Sequence, residues 1–147
     1  MERVKNLLNI SADLKKTVAE RLSGEILNSA KQINSRLEIG GKLLLMGNGG
    51  SAGDAQHIAA ELVGRFKKER KALPALALTV DTSSLTALGN DYGFETIFER
   101  QIEALATDSS VFNNCTNCGL AINCAAALEA ALAIIYLWKT GGTSSKA

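Results

Sequence analysis

Residues 43–65 read LLLMGNGGSAGDAQHIAAELVGR, and they restrict the fold more than any other stretch of the chain. Leu43, Leu44, Leu45 and Met46 form an apolar run with no polar alternation, so a strand over residues 42–46 is buried on both faces, as parallel strands are. Gly47-Asn48-Gly49-Gly50-Ser51 breaks that run, and a helical pattern follows from about residue 52 to 66. A buried strand, a glycine turn and a helix N-terminus in that order make an anion site. Glycine lets the backbone approach a ligand closely, and the first helical N–H groups have no partners within the helix. The helix macrodipole adds about half a positive charge at that end. The expected tenant is a phosphate or carboxylate.

The turn differs from two better-known glycine loops. A dinucleotide fingerprint requires G-x-G-x-x-G, which Gly47, Gly49 and Ala52 do not complete. A triphosphate loop ends in Gly-Lys-Ser/Thr, and no lysine lies between Lys42 and Lys67. Ordinary turn chemistry also favours glycine, but three glycines within residues 47–50, beside Asn48 and Ser51, favour binding.

At 147 residues the chain reads as one domain, with a helical segment at 1–39, an α/β core at 40–138 and a polar tail at 139–147. The net charge of +1 predicts no nucleic-acid partner. The first residues are charged and lack an apolar leader core, and the longest apolar region, about 121–138, is interrupted by Asn123 and Glu129. A cytoplasmic protein away from the membrane is therefore expected, with its three cysteines reduced. Cys115-x-x-Cys118 and Cys124 form no complete metal or redox motif, and incidental thiols are the expectation.

Residues 3–38 carry Val4, Leu7, Leu8, Leu14, Val18, Leu22, Ile26, Ile33 and Leu37 at helical spacing. Ser11 resembles an N-cap and Gly24 weakens the pattern, so two helices are plausible there. This apolar face exceeds what one small sheet needs. It packs either on the chain's own core or on another subunit. Residues 67–71 (KKERK) read as a solvated connection, and a second buried strand is expected over 75–80 after Pro74. Asp81-Thr82-Ser83-Ser84 then leads into a helix near Leu85, followed by a turn at 89–93 and a helix over 94–105. Both strand-end loops belong at the ligand-binding edge of a parallel sheet. Beyond Ala106 the pattern allows a third strand beginning at Val111-Phe112, a loop over 113–119, a helix over 121–132 and a short strand over 134–138.

If Asp54 opens the central helix, then Asp54, His57, Glu61 and Arg65 share one face, with Gln56 beside them. His57 and Glu61 at i, i+4 suit a shared metal ion or an acid/base pair, though two ligands do not define a zinc site. A solvated polar face worth tenths of a kcal/mol is the plainer alternative. His57 is the chain's only histidine, and its face is expected to begin at the phosphate cradle, which favours function.

These residues resemble a known family. Residues 47–57 (GNGGSAGDAQH), Glu61-Leu62, Gly64-Arg65-Phe66, residues 77–82 and the run Gly89-Asn90-Asp91-Tyr92-Gly93-Phe94 leading to Phe98, Arg100, Gln101 and Glu103 are similar to the signature of bacterial phosphoheptose isomerases, which are sugar isomerase (SIS) domain proteins. The likeness covers about residues 39–105 and, more loosely, the N-terminal segment. It implies an α/β fold: a flavodoxin-like three-layer α/β/α sandwich around a parallel sheet, preceded by N-terminal helices. It also implies a homotetramer with active sites shared between subunits. The implied reaction converts sedoheptulose 7-phosphate to D-glycero-D-manno-heptose 7-phosphate for the heptose of lipopolysaccharide core. On that likeness Glu61 is the base of an enediol proton transfer, and His57 and Glu61 are ligands where zinc is bound. Asn48, Gly49, Gly50 and Ser51 face the substrate, Arg65 lies near it and Asp91 lines the pocket.

The family grips phosphate with a loop of the form ISTSG, where this chain reads VFNNCTNCG over 111–119, leaving Thr116 for that role. A final helix of the form QEIH, which supplies further metal ligands and the general acid, has no counterpart in these 147 residues. From about Ala106 the chain is therefore expected to be truncated or altered in sequence. Other SIS-domain proteins are non-catalytic sugar-phosphate sensors or associate with the replication initiator, which is the alternative function.

Overall fold

The computed structural model describes residues 1–66 and 69–107 and the backbone of 111–114. In chain order it contains α1 (Glu2–Glu38), β1 (Leu43–Met46), α2 (Gly50–Val63), β2 (Ala75–Ala77), α3 (Thr82–Tyr92), a 3₁₀ turn (Phe94–Thr96), α4 (Glu99–Leu105) and β3 (Val111–Asn114). The three strands are parallel in the order β2-β1-β3, with Leu43 opposite both Ala75 and Val111. Since β1 connects first to one side and the chain then crosses to the other, the carboxyl end of β1 lies at a topological switch point.

Every residue of β1 is buried, and its side chains alternate between two cores. Leu43 and Leu45 pack with Ala30, Ile33 and Leu37 of α1 and with Ala55, Ile58 and Leu62 of α2. Leu44 and Met46 pack on the opposite face with Leu78, Ile97 and Phe98. Helices thus cover both faces of a parallel sheet, the expected three-layer α/β/α arrangement. Full burial of each leucine contributes roughly 1.5–3 kcal/mol. Among the described residues no helix is long and apolar enough to cross a membrane.

The N-terminal segment is one continuous helix rather than two. Ser11 and Gly24 are interior and exposed, and a single exposed glycine costs only about 1 kcal/mol, too little to break 37 helical residues. α1 stops instead at a Schellman turn. Gly40 takes φ +83°, Gly41 N–H donates to Arg36 O at 2.8 Å, and Gly40 N–H donates to Leu37 O at 3.2 Å. Only Ala30, Ile33 and Leu37 of α1 are buried, whereas Val4, Leu7, Leu8 and Leu14 are 60, 58, 66 and 64 % exposed. The apolar face of the first half of α1 therefore does not cover the chain's own core.

Several boundaries move. α2 opens at Gly50 and ends at Val63, so Asp54 lies in its second turn and Arg65 beyond its end. β2 is only three residues long. α3 begins at Thr82 because Asp81 caps it, Oδ1 accepting from Ser84 N–H at 3.0 Å, and it runs through residues 89–92, which read as a turn. The helix expected over 94–105 is split into the 3₁₀ turn and α4. Asn113 and Asn114, read as loop, continue β3 because they pair with Leu45 and Met46. Thr116, the three cysteines, the helix over 121–132, the strand over 134–138 and the tail lie outside the described residues.

Candidate active site

Where β1 ends, the chain turns sharply at Gly47. A Cβ there would lie 2.7 Å from Ser51 Cβ and 2.8 Å from Ser51 O, so only glycine permits the loop to fold onto the first turn of α2. Gly49 takes φ +59° at the N-cap, a conformation that favours glycine. Ser51 N–H donates to Asn48 O and Ala52 N–H to Gly49 O, each at 3.1 Å. Gly49 at the N-cap of α2 has no side chain to cap the helix, and the first turn holds no acidic residue. Its N-terminal positive potential is therefore left for an anion.

An open cleft of about 390 Å³ adjoins this loop. Gly47, Asn48, Gly49 and Ala52 form one wall, Leu85, Thr86 and Gly89 of α3 another, and Phe94, Ile97 and Phe98 the apolar base, with Thr79 between. The loops after β1 and β2 do converge, as their place at the carboxyl ends of adjacent strands requires. Gln56 Nε2 donates to Thr79 Oγ1 at 3.4 Å, and Thr79 Oγ1 lies 3.5 Å from Ala52 O, long bonds that tie the two loops together. Nearby, the Ser84 hydroxyl and then its backbone N–H hold the exposed Asp81 carboxyl below its ordinary value of 3.8.

A second group of residues lies elsewhere. His57 Nε2 is 3.9 Å from Glu61 Oε1, with the two side chains 61 and 25 % exposed. Ala52, which lines the cleft, and Glu61 are nine residues apart, two and a half turns at 3.6 residues per turn, so they project from opposite sides of α2. The cleft beside Ala52 therefore lies across α2 from the His57/Glu61 face, whereas Gly50 of the glycine loop, which opens α2, shares that face with Asp54, His57 and Glu61 at helical spacing. Arg65 pairs with Glu69 at 3.3 Å, an exposed contact of the kind that contributes little to stability. Asp91 accepts a hydrogen bond from Asn90 Nδ2 at 3.0 Å near the end of α3. Gly50 and Ser51 form the first turn of α2.

Zinc holds nitrogen and oxygen donors at about 2 Å. Two donors on one tetrahedral ion stand about 3.3 Å apart, so His57 and Glu61, at 3.9 Å, reach that spacing with a small side-chain rotation. Among the described residues no cluster of three or more His, Cys, Asp or Glu side chains completes such a site. The pair fits as two ligands, and any others must come from elsewhere.

Thr79 and Thr86, both lining the cleft, were not singled out in the sequence. Thr79 was signalled only by its place at the end of a strand, and Thr86 by none. Arg70, read as part of a solvated connection, is half-buried and donates to three carbonyls.

Known proteins share this architecture. The SIS domain pattern matches residues 8–134. The phosphoheptose isomerase of Aquifex aeolicus is 52 % identical over 147 aligned residues, covering 97 % of this chain and 77 % of that protein. That of Geotalea daltonii is 47 % identical over 148 aligned residues, with the same coverage. Among solved structures, phosphoheptose isomerases from Neisseria gonorrhoeae and Francisella tularensis superpose with TM-scores of 0.73 and 0.75 at 39 and 37 % identity, each match covering 91 % of this chain and 70 % of the other. Such identity over a shared fold extends well beyond the glycine loop and its helix: the chain belongs to the phosphoheptose isomerase family of SIS-domain proteins.

Proposed function

We propose that this chain is an aldose–ketose isomerase that converts sedoheptulose 7-phosphate to D-glycero-D-manno-heptose 7-phosphate, the heptose precursor of lipopolysaccharide core. The observation that carries this reading is the His57/Glu61 pair on the helix that follows the glycine cradle, in a chain 52 % identical to a phosphoheptose isomerase. A half-buried carboxylate beside a histidine favours proton-transfer chemistry over non-catalytic sugar-phosphate sensing.

The chemistry moves one proton between neighbouring carbons. Glu61 takes the proton from C1 of the ketose, the C–H electrons form a C1=C2 double bond, and the C2 oxygen gains a proton to give an enediol. Return of a proton to C2, with loss of the O1 proton, leaves the aldehyde at C1. Asn48, Gly49, Gly50 and Ser51 hold the phosphorylated substrate, with Arg65 and Asp91 contributing to the pocket and Thr116 to the phosphate loop. His57 and Glu61 would supply two ligands to a bound zinc ion, which would polarise substrate oxygens as a Lewis acid.

The enzyme acts as a homotetramer in the cytoplasm. Two features support assembly: the exposed apolar face of α1, and the placement of Ala52 and Glu61 on opposite sides of α2. A cradle from one subunit and a base from another then complete one site. The test is incubation of the purified chain with sedoheptulose 7-phosphate in deuterated water, following aldose formation and deuterium at C2. Absence of both product and label would sink the assignment.

A further inference from the structure

Glu61 lies in the last turn of α2, where helices fray because their final carbonyls have no intrahelical partner. Gly64 N–H takes Ala60 O at 2.8 Å, and Leu73 N–H takes Leu62 O at 3.0 Å. The last turn of α2 contains no basic residue, and Arg65, the first cation after it, is paired with Glu69. Arg70 supplies the missing charge from the far end of the connection. Its Nη2 donates to Glu61 O at 2.8 Å, and its Nη1 donates to Leu62 O at 2.9 Å and to Lys71 O at 3.0 Å. Hydrogen bonds from a guanidinium are charge-assisted, and a cation at a helix C-terminus also opposes the negative end of the dipole. The planar fork lets two nitrogens hold adjacent carbonyls at once, which a lysine ammonium cannot reproduce.

We propose that Arg70 is a positioning residue for the isomerisation: by clamping the carbonyls of Glu61 and Leu62 it fixes the last turn of α2 and hence the aim of the Glu61 carboxylate. The role rests on Glu61 being the proton-transfer base. Arg70 spends its donors on backbone carbonyls rather than substrate, so its loss acts on the chemical step. Misaiming a reacting group by about 1 Å costs up to about a hundredfold in rate.

The experiment compares Arg70→Met, Arg70→Lys and Glu61→Gln in the full chain, measuring kcat, KM, thermal midpoint and amide hydrogen exchange. Arg70→Met is expected to lower kcat between about tenfold and a hundredfold with KM little changed. It should also speed exchange at residues 62–64 and Leu73 while β1 stays protected, and Arg70→Lys should recover part of the rate. An inactive Glu61→Gln beside an Arg70→Met of undiminished kcat overturns the positioning role alone. A loss shared equally by kcat and KM, or exchange unchanged in the last turn of α2, also overturns it. Turnover by Glu61→Gln removes the base itself and the proposal with it. Should Arg70→Met fail to fold, Arg70→Gln takes its place in the same comparison.

Discussion

Ala52 and Glu61 belong to the same helix but project from its opposite sides, so the cleft under the glycine loop and the carboxylate of the proposed base face different surfaces of one subunit. This predicts complementation between two inactive variants. Asn48→Ala removes a cradle residue and Glu61→Gln removes the base. Each alone is expected to lose about 10²–10⁴-fold in turnover, the usual worth of a positioned acid or base in the second case. Co-expressed, the two chains form some interfaces that carry both intact halves, and turnover should return. Continued inactivity of mixed oligomers, verified by mass, would show that each subunit holds a complete site.

Gly47 is the tightest point of the cradle, since any Cβ lies within 3 Å of both Ser51 Cβ and Ser51 O. Gly47→Ala has to push the loop away from the first turn of α2, at a cost of about 1–3 kcal/mol in overpacking. The thermal midpoint should fall, and affinity for the substrate's phosphate should fall further than stability alone explains. Gly53, where a Cβ meets nothing within 4 Å, is the control: Gly53→Ala should bind phosphate normally.

The strand, turn and helix around Gly47 were legible because each has a local cause: an unbroken apolar run, residues that tolerate unusual φ, and a helical polar face. Element boundaries were less so. Gly24 reads as a break, yet the hydrogen-bond ladder on either side carries α1 through it, because one exposed glycine costs less than ending a helix. Asn113 and Asn114 read as loop, yet pairing with Leu45 and Met46 overrides their low strand preference. The helical wheel placed Glu61 and His57 together correctly at 3.9 Å, but did not show that the cleft opens on the other side of the helix. That depends on which face of α2 the sheet occupies. Arg70 was missed for a related reason, since its partners are backbone carbonyls, which leave no trace in side-chain spacing.

The buried strand β1 and the exposed N-terminal half of α1 should respond differently to substitution. Leu44, fully buried in β1, represents the core, and Leu44→Ala is expected to cost roughly 2–5 kcal/mol in urea unfolding. Leu7 and Leu14 are 58 and 64 % exposed, so Leu7→Glu with Leu14→Glu should leave the subunit core folded. The same pair should break the oligomer, read by light scattering. If the active sites are shared, turnover falls with it. A double variant whose assembly and turnover match the wild-type chain's would place the subunit contacts away from this stripe.

Asp81 gives a pH signature. The Ser84 hydroxyl donates to its Oδ2 at 2.7 Å and the Ser84 N–H to its Oδ1 at 3.0 Å, and both favour the ionised carboxylate. Its value is therefore lowered from 3.8 in the folded state, while the unfolded chain retains the ordinary one. A carboxylate of depressed pKa stabilises the fold fully above its unfolded value and loses that contribution as pH falls through the folded one. The wild-type chain should thus exceed Asp81→Ala in stability by a constant margin at neutral pH, with the margin narrowing only below about pH 4. Urea midpoints for the two chains at pH 7, 5 and 3 give the measurement. A margin independent of pH across that range would mean that the cap at α3 acts through its geometry and not through its charge.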